Sequence, residues 1–234
     1  MANNVLTNVA ARENVLLKKV YLWMTLGLVI TAAVAIGVGS SEALLRTFAL
    51  NPVAVIILCA TQLAFVFILS SRIERLSLGA AVALFLGYSA LTGVTFSTLF
   101  ALYIGTGIIQ KAFISTAVVF VVASLYGLFT RRAVQSWGSW LFVGLISILI
   151  ASLFNLFIGS SKLDFIISIV GILLFAGITI WDTNKIKAMN DRFGLEMSSE
   201  ELSKISIMGA LDIYLDVINI FLYFVRIYAN SDRK

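Results

Sequence analysis

The sequence predicts an all-α integral membrane protein: a seven-transmembrane helix bundle forming a single domain over residues 1–234. Three observations carry this prediction. Of 234 residues, 60% are hydrophobic and 12% charged, about half the charged share of a soluble domain. Mean hydropathy is +1.02. The apolar residues gather into seven runs of spanning length, and no polar stretch between them is long enough for a soluble domain.

The elements follow in order. Residues 1–19 are polar, and the stretch from Asn14 to Lys19 reads as a short interfacial turn into the bilayer. The first span is 20–38, where Gly27, Gly37 and Gly39 offer close helix approach. It is of full span length and lacks a small-residue cleavage pattern, so no cleaved signal is expected. Pro52 opens the second span, 52–71, because a proline at the first helical position forfeits no intrahelical bond. The third span is 78–104, the fourth 108–129, the fifth 140–158, the sixth 163–182 and the seventh 205–228.

Basic residues sort by side. Arg12, Lys18, Lys19, Arg72, Arg75, Arg131, Arg132, Lys185, Lys187, Arg192 and Lys204 fall on the amino-terminal side. The opposite loops carry Arg46, Lys111 and Lys162. By the positive-inside rule the N-terminus is cytoplasmic, and seven crossings put the C-terminus, with Arg226, Arg233 and Lys234, outside. The net charge of +5 is therefore a topology signal rather than a nucleic-acid surface.

Acidic groups at membrane depth are expensive, and three stand out. Asp212 and Asp216 are four residues apart in the last span, on one helix face, with Asn219 on roughly the same face. That face must point into the bundle. Asp182 closes the sixth span and is followed by Lys185 and Lys187, so its surroundings alone suggest an interfacial carboxyl in water. Arg72 is the natural counter-charge, although a simple interfacial anchor explains it equally well. Asn155 and Asn219 read as polar packing in the core. So do Ser89, Thr92, Thr95, Ser97 and Thr98 of the third span, with Gly87 and Gly93.

The closing sequence, Ile180-Trp-Asp-Thr-Asn-Lys-Ile-Lys and then Leu211-Asp-Ile-Tyr-Leu-Asp-Val-Ile-Asn-Ile-Phe-Leu-Tyr, resembles the end of the Bax inhibitor-1 family in its bacterial branch. Leu91-Thr-Gly-Val-Thr-Phe-Ser and Phe154-Asn-Leu-Phe resemble its third and fifth spans. The resemblance implies a C-terminal helix at the centre of the bundle, residence in the bacterial inner membrane, and a pH-sensitive calcium leak. It also implies an aspartate pair that senses pH, Asp182 with Asp216, and a second-span arginine at Arg72. Asp212 is an additional acid beside the pair. Thr61 and Gln62 stand where some relatives carry an acid in the second span. Counting inward from Lys185 and Lys204, Asp182 lies roughly 5 Å deep, Asp212 about 12 Å and Asp216 about 18 Å. On level helices Asp212 is the nearer partner, whereas tilt or a seventh helix that begins later than Lys204 brings Asp216 level instead.

These readings lead to a non-enzymatic leak for cations, with Ca²⁺ as permeant ion, gated by a carboxyl pair that titrates as a unit. The alternative is a membrane-embedded regulator that binds another membrane protein such as an AAA protease. Beyond these and the lipid bilayer no partner is expected, and no cofactor. A resident metal is left unassigned, since three carboxyls are too few for a preformed calcium cage. Histidine is absent, which removes zinc peptidase and serine–histidine chemistry. The last span has no lysine for a retinal Schiff base.

Overall fold

In a bilayer every backbone N–H and C=O must find its partner within the chain, and a helix achieves this segment by segment. The computed structural model describes residues 2–130, 134–193 and 198–231, except for the side chains of 2–14, 135 and 190–193. Among the described residues seven helices are long and apolar enough to cross a membrane, and there is no strand. They are α1 (Ala2–Gly39), α2 (Pro52–Arg72), α3 (Leu78–Tyr103), α4 (Ile108–Phe129), α5 (Gly138–Ile158), α6 (Ser161–Phe193) and α7 (Ser199–Ser231). A short helical turn over Glu42–Ala49 joins α1 to α2. The side chains of Arg12, Arg131, Arg132, Arg192, Arg233 and Lys234 lie outside the described residues.

Local chemistry explains several ends. Asn51 caps α2, its Oδ1 accepting the N–H groups of Val53 and Ala54 at 3.0 and 3.4 Å, with Pro52 in the first turn. Ser77 caps α3 by accepting the Ala80 N–H at 3.2 Å. Ser198 and Glu201 form a reciprocal capping box at the start of α7. Glu201 Oε2 accepts the Ser198 N–H at 2.8 Å, and Ser198 Oγ accepts the Glu201 N–H at 3.2 Å. The last helix thus begins six residues before the apolar run it contains.

Three helices extend well past their apolar runs. In place of the interfacial turn expected near 14–19, α1 is unbroken from Ala2, since alanine, leucine, lysine and arginine in that stretch all favour helix. α6 continues eleven residues beyond Asp182. α7 is by far the most buried: 56% of its span window lies inside the protein, against at most 33% for any other. This is the burial that a central helix requires.

The chain divides into two compact units. The first comprises Met1–Gly105 and Met189–Tyr214, the second Thr106–Ala188 and Leu215–Lys234. In the first unit α1 meets α3 at backbone distance. A Cβ placed on Gly93 would stand 2.6 Å from the Thr31 carbonyl oxygen, and one on Gly27 would meet Phe85 at 2.8 Å. Of the three first-span glycines, Gly27 and Gly39 face neighbours in this way, whereas Gly37 faces open space. Tyr214 anchors α7 here. It is fully buried, its hydroxyl lies 2.6 Å from Thr31 Oγ1, and its ring takes edge contacts from Phe85 and Tyr88. Thr31 Oγ1 donates toward the carbonyls of Gly27 and Ser89. Its single proton is then spent, so the Tyr214 hydroxyl is the donor between the two. Gln62 donates to Thr92 and Thr95 at 3.3 and 3.4 Å, which makes the third-span hydroxyls a hydrogen-bonded seam.

In the second unit the core is a cluster of Ile148, Ile167, Ile172, Phe175, Ile220 and Tyr223. α6 and α7 run antiparallel within it: Asn230 near the end of α7 donates to Asp164 at the start of α6, at 2.8 Å, and Phe175 meets Tyr223 with ring centroids 6.1 Å apart. Overpacking a close helix contact costs about 1–3 kcal/mol. Gly93→Leu is therefore expected to lower the thermal unfolding midpoint in detergent. Gly37→Ala, with no neighbour to strike, is expected to leave it unchanged or raise it, since alanine is the better helix former.

Candidate functional site

Asp182 and Asp216 belong to the same compact unit, on α6 and α7 respectively. Asp182 is 6% exposed and Asp216 2%. Asp182 is therefore not the water-facing interfacial residue that its neighbours suggest. The lysines from which depth was counted are not loop markers either. Lys185 and Lys187 lie within a continuing helix, and the Lys204 side chain is only 16% exposed where it pairs with Glu200 at 3.1 Å.

The register of the two helices is informative. Asp182 lies seven residues after Phe175, and Asp216 seven residues before Tyr223. Seven residues are close to two turns. On antiparallel helices the carboxyls thus lie on the faces that bring the two rings together, two turns nearer the connecting loop. Asp212 is half-buried and falls in the other unit, with Tyr214.

The lysines that seemed to mark a loop have other duties. Lys185 Nζ stands 4.0 Å from Asp182 Oδ1 and 5.1 Å from the centroid of the Trp181 ring. Its half-exposed ammonium is held over an aromatic face rather than buried with the acid. Lys187 Nζ donates to the Leu128 carbonyl at 2.8 Å, and Asn184 Nδ2 to the Gly127 carbonyl at 3.2 Å. Both carbonyls are in the last turn of α4, where no intrahelical donor remains, and the ammonium also complements the negative end of the helix dipole. A Cβ on Gly127 would stand 2.7 Å from the Ile180 carbonyl oxygen. Residues 180–187, which carry Asp182, are in this way clamped to the end of α4.

The remaining candidates are placed differently. Arg72 ends α2, is exposed, and enters no ion pair among the described residues. Asn219 folds back on its own helix, donating to the Leu215 carbonyl at 2.7 Å. Asn155 is one turn from the end of α5, where its Oδ1 accepts the Ser160 N–H at 3.2 Å. Both amides therefore satisfy local backbone rather than joining helices across the core. Among the described residues no three acidic or cysteine side chains gather around a common point. Sequence reasoning missed Asn184 and Lys187; the one available signal was that both follow an acid in a stretch rich in helix formers.

Comparison with known proteins adds the family. The profile described as inhibitor of apoptosis-promoting Bax1 matches residues 13–233. The chain belongs to the Bax inhibitor-1 family. Among its bacterial relatives is inner membrane protein YbhL of Escherichia coli K12, 42% identical over 212 residues, which are 91% of this chain and 90% of the relative. A Rickettsia prowazekii protein is 40% identical over 91% of this chain and 88% of its own length. A membrane protein of Streptococcus pyogenes serotype M1 is 36% identical over 73% and 72%. This Bax inhibitor-1 family member is accordingly a multi-pass membrane protein.

A hydrogen bond to a charged group contributes about 1.5–3 kcal/mol. Lys187→Met is expected to speed amide exchange in the last turn of α4 by about 10–100-fold. Lys187→Arg, which keeps a cationic donor, should stay near the parent.

Proposed function

We propose that this chain is a non-enzymatic, pH-sensitive leak path for cations, Ca²⁺ above all, gated by the carboxyl pair Asp182 and Asp216. The observation that carries the reading is the burial of both aspartates on antiparallel helices of one unit, at positions equally spaced from the Phe175–Tyr223 contact. Burying a single carboxylate costs several kcal/mol. Two facing carboxyls lower that cost by holding one proton between them, and such a pair titrates as a unit. Protonation then biases a two-state contact between α6 and α7. The clamp of Asn184 and Lys187 on α4 makes α6 the fixed side of that contact and α7 the side that moves.

The proposed orientation has the N-terminus in the cytoplasm and the C-terminus outside. The bond from Lys19 Nζ to Ser203 Oγ at 3.2 Å sets the start of the first span beside the start of α7, which supports termini on opposite sides; the positive-inside rule alone assigns the cytoplasm to the N-terminal side. The inner-membrane name of the Escherichia coli relative supports residence in that membrane.

The experiment is Ca²⁺ flux into proteoliposomes across a pH series. The parent should show pH-dependent flux, and Asp216→Asn and Asp182→Asn should flatten it. Equal, pH-flat flux in parent and variants would sink the gate. No flux in pure liposomes, together with one stoichiometric crosslinked partner in native membranes, would favour the membrane-embedded regulator instead.

A further inference from the structure

A hydroxyl buried in a membrane helix has a ready partner, the carbonyl three or four residues back on its own chain. Ten serine and threonine residues are buried among the described residues. Eight of them make that bond. The exceptions are Ser124 and Thr183, whose hydroxyl oxygens are buried with no hydrogen-bond partner among the described groups.

The two exceptions belong to one seam. Thr183 Cβ would be 3.0 Å from a Cβ on Gly127, and Ser124 is three residues before Gly127, on the same face of α4. The backbones of α4 and α6 come together here, and the clamp of Asn184 and Lys187 on the α4 carbonyls adjoins it. Asp182 is the residue next to Thr183. A buried hydroxyl that forgoes its own helix and meets no other group is costly. Two such hydroxyls on facing helices are what a small guest able to donate and accept would satisfy.

We propose that Ser124 and Thr183 together bind one water molecule in the α4–α6 seam beside Asp182. Water is the guest that fits the chemistry. Each hydroxyl has one proton to give and lone pairs to receive, and no described group bonds to either oxygen. The inference rests on the hydroxyl geometry and holds whether or not the chain conducts cations.

A double-mutant cycle in thermal stability tests it, with the full chain in detergent. Thr183→Val keeps the shape and removes the hydroxyl; Ser124→Ala removes the other. If one water joins them, each substitution lowers the unfolding midpoint by about 2–4 °C. The double variant then loses little more than either single one. Additive losses would separate the two hydroxyls and overturn a shared guest. An unchanged or higher midpoint in either variant would also overturn it, because removing an unsatisfied hydroxyl stabilises. Should Thr183→Val fail to fold, the sign of the Ser124→Ala shift decides in the same sense. A high-resolution map of the parent decides independently: a peak within hydrogen-bond distance of both oxygens supports the site, and its absence there sinks it.

Discussion

The structure depends on one constraint: α7 carries Asp212, Tyr214, Asp216 and Asn219 within about two turns, and none of these tolerates lipid. A helix with acids at that depth must bury them against protein, and α7 is the most buried of the seven spans, with 56% of its window inside. Much else follows from providing that cover. Tyr214 spends its hydroxyl on Thr31. α1 and α3 approach through Gly93 closely enough to leave no room for a side chain. Buried hydroxyls on the surrounding helices mostly bond to their own backbone, so they add polarity without demanding partners across the bundle.

The fold was legible in the sequence because a bilayer allows an apolar run of that length only one regular form. Helix ends were less legible, since hydropathy reports where lipid stops and not where hydrogen bonding stops. Ser198 and Glu201 carried the start of α7 in their spacing, as a capping box does. The extension of α1 back to Ala2 was also readable, from helix propensity that the polar composition overshadowed.

The site was legible in part. Acids inside an apolar run are conspicuous, which is why Asp212 and Asp216 stood out without any comparison. Asp182 stood out as well but read as a carboxyl in water, because nearby lysines normally mean that. Here Lys185 lies over Trp181 and Lys187 caps a different helix, so the cationic groups mark a junction between helices and not a loop. No local rule separates those uses of a lysine; the distinction lies in α4, more than fifty residues earlier. Asn155 and Asn219 show the converse. Both read as polar packing in the core, and each bonds to a nearby backbone group of its own stretch of chain.

The length of α7 has a geometric consequence. Its 33 residues make a rod of about 50 Å, while the hydrocarbon layer is about 30 Å thick. An uninterrupted helix of this kind outreaches that layer by about 20 Å. At its capped start Ser203 meets Lys19 of α1. Part of the last helix must therefore lie beyond the hydrocarbon, where its backbone and side chains can meet polar groups.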